Sequence, residues 1–202
     1  MTTLTIPTRT VKPSAVPQPK RWTVDEFYAL WNQGWFEDCK PMLLDGEILE
    51  MAIPSPPHDV SLTLADYALK AVFGIGFIVR IQMPLPLNLW TDPIPDVAVV
   101  TGSPRDYLSA HPVLAHLVVE ISETTLSIDT GRKALLYAAG GIADYWVVDI
   151  VNRKLIVFRD PVADPSILAG YRYKTRLDLD ETATVNPLAA PHVSFTVSDW
   201  LP

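Results

Sequence analysis

Cysteine is almost missing: Cys39 is the only one in 202 residues. A disulfide within the chain is therefore excluded, and so is a zinc site built on cysteines. Charge is also sparse, at 19% of residues, and the 16 basic residues are outnumbered by 23 acidic ones for a net charge of −7. Loose, non-specific nucleic-acid binding as a main task calls for the opposite balance. No apolar run is long enough to span a bilayer. The N-terminal residues lack the apolar centre of a signal peptide, so a cytoplasmic protein is expected. A Gly-rich phosphate loop, a Ser-His-Asp order, an HExxH pair and internal repeats are all absent.

Apolar residues make up 49% of the chain, enough for a substantial core. Residues 1–20 are rich in Thr and Pro, with Pro7, Pro13, Pro17 and Pro19, and offer little to bury. They are expected to form a flexible tail before a single domain over residues 21–202. Thr23 to Glu26 is a capping box that starts a helix ending before Gly34. Met42 to Met51 reads as a hairpin around a two-residue Asp45-Gly46 turn. Ser55-Pro56-Pro57 caps a second helix, with Val60, Leu64, Leu69, Val72 and Phe73 expected on its buried side and Gly74 and Gly76 stopping it. Phe77 to Gln82 and Leu85 to Leu89 are expected strands, interrupted by Pro84 and Pro86. Further on, Lys154 to Phe158, Tyr171 to Leu177 and Val193 to Val197 are expected strands. Residues 160–170 are expected to be a loop, and Trp200 to pack the end of the chain down.

The most informative stretch is Leu117 to Asp149. Leu117 to Ile121 is a β-branched, apolar run, the pattern of a strand covered on both faces. Ser127 to Ala139 is helical in composition and ends at Gly140-Gly141. Tyr145 to Val148 is a second apolar run. Strand, helix and strand in this span form a parallel crossover unit. Glu120 interrupts the first run, where desolvating a carboxylate costs several kcal/mol. Asp96 opens another apolar run, Ile94 to Val100. Two acids on neighbouring strands can share a hard divalent cation. A cation near the reacting groups would come from Lys133, which shares a helical face with Asp129 and Tyr137 through spacings of four. The plainer alternatives are a buried acid held by an Arg or Lys, and an exposed Asp129–Lys133 pair.

The ordered set Pro95-Asp96, Leu-Val-Val-Glu120-Ile-Ser122, Asp129-x-x-x-Lys133-x-x-x-Tyr137 and Gly-Ile-Ala-Asp-Tyr-Trp-Val-Val-Asp149 resembles the Uma-two family of bacterial proteins. These are restriction-endonuclease-like members of the PD-(D/E)XK nuclease superfamily. Leu-Leu-Asp45-Gly46-Glu47-Ile and the Pro-rich turn before His58 fit the same family. The resemblance spans about residues 22–160. It implies an α/β fold, a restriction-endonuclease-like twisted mixed β-sheet flanked by helices. It also implies Asp96 and Glu120 as ligands of Mg²⁺ or Mn²⁺, Lys133 as the catalytic lysine, DNA as substrate and a homodimer. Ser122, Asp129, Tyr137, Glu47 and His58 are the expected supporting residues.

Two positions depart from the family pattern. Ser122 stands two residues after the acid, where the superfamily has its lysine. Met42 stands where the family has a glutamate three residues before the Asp-Gly turn. The leading expectation is a metal-dependent endonuclease that hydrolyses DNA phosphodiester bonds. The alternatives are a catalytically inactive, dimeric interaction module and a hydrolase of another phosphodiester. The basic span Arg153, Lys154, Arg159, Arg172, Lys174 and Arg176 is either a nucleic-acid surface or, by preference, a set of ordinary outward strand positions. The six tryptophans read chiefly as packing residues, with base stacking the rarer use.

Overall fold

A computed structural model describes residues 17–51 and 53–202. Most of the expected tail, residues 1–20, falls outside these described residues.

The chain enters through α1 (Val24–Trp31), where Thr23 and Glu26 close the anticipated capping box. The strands β1 (Pro41–Leu44) and β2 (Glu47–Glu50) pair antiparallel as a hairpin. Asp45 and Gly46 both have positive φ, 49° and 81°, as a two-residue turn matched to strand twist requires. Next comes α2 (Pro56–Val72), capped by the Ser55 hydroxyl at the His58 amide.

The central sheet has six strands in the order β3 (Phe77–Ile81), β4 (Val97–Thr101), β5 (Leu117–Ser122), β6 (Asp144–Asp149), β7 (Lys154–Ala163) and β8 (Tyr171–Asp180). All neighbours are antiparallel except β5 and β6, which are parallel. A parallel pair needs a crossover. Here it is a π-helical turn, Ile128–Lys133, that runs on into α3 (Ala134–Ala139). The expected helix over Ser127 to Ala139 is thus divided in two. Two short strands, β9 (Thr184–Val185) and β10 (Phe195–Thr196), and a 3₁₀ turn at Val197–Trp200 finish the chain.

Strand alternation gives this sheet two covered faces. Val97, Val99, Val119, Ile121, Trp146 and Val148 pack beneath α2 and the C-terminal segment. Ala98, Val100, Val118, Tyr145 and Val147 pack beneath α3. The rings of Trp146 and Trp200 lie 5.4 Å apart and both are fully buried, so Trp200 does secure the chain end.

Several expectations need correction. Leu85 to Leu89 is not a strand, because Pro84 and Pro86 interrupt its backbone donors; only the isolated bridge Asn88–Thr91 forms there. The buried stripe of α2 runs through Ser61, Ala65 and Leu69, while Val60 is 48% exposed. Small side chains allow this helix to approach the sheet closely, and the Ser61 hydroxyl donates to the Trp200 carbonyl at 2.7 Å. The strand expected to end at Phe158 continues to Ala163, into the expected loop, and β8 extends beyond Leu177 to Asp180. The last strand shrinks to Phe195–Thr196. No helix of the described residues is long and apolar enough to cross a membrane.

Candidate active site

The β4–β5 register explains why two acids far apart in sequence meet. Ala98 lies opposite Val118. Continuing that antiparallel register places Asp96 opposite Glu120, both on the α3 side of the sheet. Each is buried, with 5% and 2% of its surface exposed. The two line one cleft of about 340 Å³ together with Met42, His58, Asp129 and Lys133.

Every carboxylate oxygen of the two acids is engaged. Asp96 Oδ2 accepts from the Ile121 amide at 2.8 Å and lies 3.2 Å from His58 Nε2. Asp96 Oδ1 accepts from Gln82 Nε2 at 3.1 Å. Burial alone would raise its pKa, but His58, the Ile121 amide and Gln82 together hold it below the usual range. Contact with Asp96 raises the pKa of His58 in turn, against the effect of its own burial.

Glu120 is managed differently. Its Oε1 accepts from the Tyr137 hydroxyl at 2.7 Å, and its Oε2 lies 3.1 Å from Lys133 Nζ. Lys133 Nζ is also 2.9 Å from Asp129 Oδ1. Burial pushes the Glu120 carboxyl up to about 7, with Asp129 and Asp96 adding to the rise and Lys133 opposing it. For Lys133, burial works against the charged form, but the neighbouring carboxylates prevail and hold it cationic.

The π-helical turn sets this geometry. It widens the helix by one residue per turn at the point where Asp129 and Lys133 project towards β5. The Thr125 hydroxyl fixes Asp129 Oδ2 at 2.5 Å, and the Tyr145 hydroxyl takes the Asp129 backbone carbonyl at 2.8 Å. Thus Asp129, Lys133 and Tyr137 converge on Glu120 from inside the protein, and the exposed ion-pair alternative does not hold.

The other expected site residues divide. His58 joins the cleft. Ser122 is fully buried and directs its hydroxyl to Thr125 at 3.4 Å, so it reaches Asp129 through Thr125 and does not line the cleft. Glu47 is not brought to the cleft either, because it sits exposed beside the hairpin turn. There it pairs with Arg132 at 2.7 Å, and Arg132 also donates to the Leu44 carbonyl at 2.6 Å. Glu47 therefore ties the hairpin to the π-helical turn. Met42, 9% exposed, presents a thioether to the cleft and packs with Leu44 and Leu136.

Sequence reasoning missed Gln82 and Glu123 as lining residues of the cleft and read Ser55 only as a helix cap. Gln82 follows the apolar run of β3 and has a positive φ of 48°, a turn that no sequence signal marks. The Ser55 hydroxyl donates to Glu123 across the cleft mouth. Four of the six residues of the basic span form ion pairs, Arg153–Glu181, Arg159–Asp144, Arg172–Asp164 and Arg176–Asp178, at 2.6 to 2.8 Å, while Lys154 and Lys174 are exposed.

Among the described residues, no group of three or more His, Cys, Asp or Glu side chains is arranged to hold a metal ion. The donor chemistry of the cleft nevertheless suits a hard cation. Asp96, Glu120 and Asp129 face a single lysine and one histidine, and the elevated Glu120 pKa comes first from its burial, with Asp129 and Asp96 adding to it.

A family model described as "Putative restriction endonuclease", Uma2, matches residues 24–198. The chain belongs to the Uma2 family. The fold agrees with a crystal structure of a "putative nuclease belonging to DUF820" from Anabaena variabilis, at a TM-score of 0.67 and 16% identity. That match covers 88% of this Uma2 chain and 96% of the other, and it establishes the restriction-endonuclease-like fold. The type IIG restriction endonuclease BpuSI matches at a TM-score of 0.31 and 13% identity, over 59% of this chain and 14% of its own, and bears no weight here. No curated protein matches the sequence.

Proposed function

We propose that residues 21–202 form a metal-dependent DNA endonuclease whose centre is Asp96, Glu120 and Lys133. The observation that carries the reading is the meeting of Lys133 Nζ with Glu120 Oε2 at 3.1 Å, beside Asp96 in the same cleft. Asp96 and Glu120 would hold Mg²⁺ or Mn²⁺, which when bound polarises a phosphate oxygen and lowers the pKa of an attacking water. Lys133 stays charged, and its ammonium orients that water or meets the negative charge that grows on the phosphate. Asp129 positions Lys133, and Tyr137 positions Glu120. His58, Gln82 and the Ile121 amide orient Asp96.

The test is cleavage of plasmid and single-stranded DNA with Mg²⁺ and Mn²⁺, beside Glu120→Ala and Lys133→Ala prepared identically. Cleavage by the parent and by neither variant supports the reading. Equal cleavage by all three places the activity elsewhere.

Met42 favours a second reading, a dimeric interaction module that keeps the fold without catalysis. It lines the cleft with an apolar side chain at the position of the family's glutamate. Calorimetric titration with Mn²⁺ separates the two readings. Saturable binding lost in Asp96→Asn supports the enzyme, and no binding at millimolar metal supports the module. A homodimer is expected under either reading, and sedimentation equilibrium measures it.

A further inference from the structure

A second groove, of about 580 Å³, adjoins the cleft, and Gln82 and Met51 line both. Its other walls include Trp31 and Phe36, whose rings lie 6.0 Å apart and tilted by 54°. Trp31 closes α1, and the turn at Gly34, with φ 81°, returns the chain so that Phe36 meets it. Although it packs on Phe27 at 6.1 Å, Trp31 remains 44% exposed. Lys40 and Glu37 also line the groove. Among the described residues no carboxylate forms an ion pair with Lys40.

The charge of the chain makes this groove informative. At −7 overall, with most of its arginines paired to carboxylates of the same chain, the protein has little unpaired basic surface for tracking many phosphates. Affinity for a nucleic-acid strand must then come largely from another source, and stacking on aromatic rings is the sequence-tolerant one. Because Gln82 and Met51 line both, a strand with one phosphate in the cleft can lay a neighbouring base in the adjoining groove. An aromatic wall with a single cation suits one unpaired base and one phosphate, not a run of duplex backbone.

We propose that the Trp31–Phe36 groove holds an unpaired nucleobase of the strand whose phosphate occupies the cleft, with Lys40 at a neighbouring phosphate. This rests on the nuclease reading, and its test is chosen to fail separately. The full chain is titrated in EDTA, so that no cleavage occurs, with a short single-stranded oligothymidylate and with an oligonucleotide of equal length made of abasic sugars. Anisotropy and tryptophan fluorescence report binding.

The parent is expected to prefer the base-bearing strand. Trp31→Ala should weaken that binding by about tenfold or more, the size of one lost stacking contact, and leave abasic binding unchanged. Trp31→Phe, which keeps a ring and guards against misfolding of the alanine variant, should retain most of the preference. Lys40→Gln should lower the salt dependence by about 0.7 in log–log slope without changing the preference. Equal losses on both strands, or no loss in Trp31→Ala, overturn the proposal. If that occurs while Glu120→Ala abolishes plasmid cleavage, the nuclease reading stands without the groove. If the parent neither binds the oligothymidylate nor cleaves DNA, both fall.

Discussion

Lys133 Nζ lies 3.1 Å from Glu120 Oε2 with only 9% and 3% of the two side chains exposed. A buried pair of this kind is costly to break from one side, since the remaining charge keeps its desolvation penalty and loses its partner. Lys133→Met should therefore abolish any cleavage and also lower stability by about 3–5 kcal/mol in metal-free buffer at neutral pH. Denaturant midpoints measure the second effect. An unchanged midpoint would mean that Lys133 does not neutralise Glu120 and Asp129.

Tyr137 is the gentler probe of the same acid. Its hydroxyl donates to Glu120 Oε1 at 2.7 Å, and its ring packs on Tyr145 at a centroid distance of 4.7 Å. Tyr137→Phe keeps the ring and removes the donor, so a stability loss of about 1–3 kcal/mol is expected, as for a hydrogen bond to a charged group. Cleavage should fall but persist. Thermal unfolding together with the cleavage rate checks both expectations.

Asp92 offers a pH dependence outside the cleft. It is 2% exposed, and the Tyr28 hydroxyl donates to its Oδ2 at 2.8 Å. Burial raises its pKa to about 6, against the lowering by Tyr28. A raised pKa means that folding favours the protonated form. That contribution is fully present below about pH 4 and is lost as pH rises through about 6. Asp92→Asn lacks this titration. The stability of the parent relative to Asp92→Asn should therefore fall between about pH 4 and about pH 7, by up to roughly 3 kcal/mol. Urea unfolding of both proteins across that range measures the difference, and parallel curves would refute it.

Met42 tests the departure from the family pattern. Met42→Glu places another carboxylate on the cleft beside Asp96 and Glu120. Tighter Mn²⁺ binding by calorimetry is expected, with a stability loss of about 1–3 kcal/mol in the absence of metal, because an apolar contact with Leu136 gives way to a buried acid. Unchanged metal affinity would mean that position 42 lies out of reach of the cation.

Much of this architecture was legible in the chain itself, because local rules act on neighbouring residues. The capping box at Thr23, the Asp45-Gly46 turn, the Ser55 cap and the crossover from β5 to β6 all follow from short-range geometry. So does the grouping of Asp129, Lys133 and Tyr137, since a helical turn relates residues four apart whether or not one turn is π-helical. Where prolines interrupt a pattern, as at Leu85 to Leu89, the local signal was misleading.

What only the tertiary structure decided is which residues meet across the sheet. The register of β4 against β5 places Asp96 opposite Glu120. The turn after β3 brings Gln82 to Asp96, and α2 lays His58 on the same acid. Glu47 and Ser122 matched the motif as well as His58 did, yet Arg132 draws one to the hairpin and Thr125 holds the other behind the cleft. Sequence spacing fixes a side chain's face on its own strand or helix, whereas its partners are set by packing between elements distant in the chain, where no short-range periodicity operates.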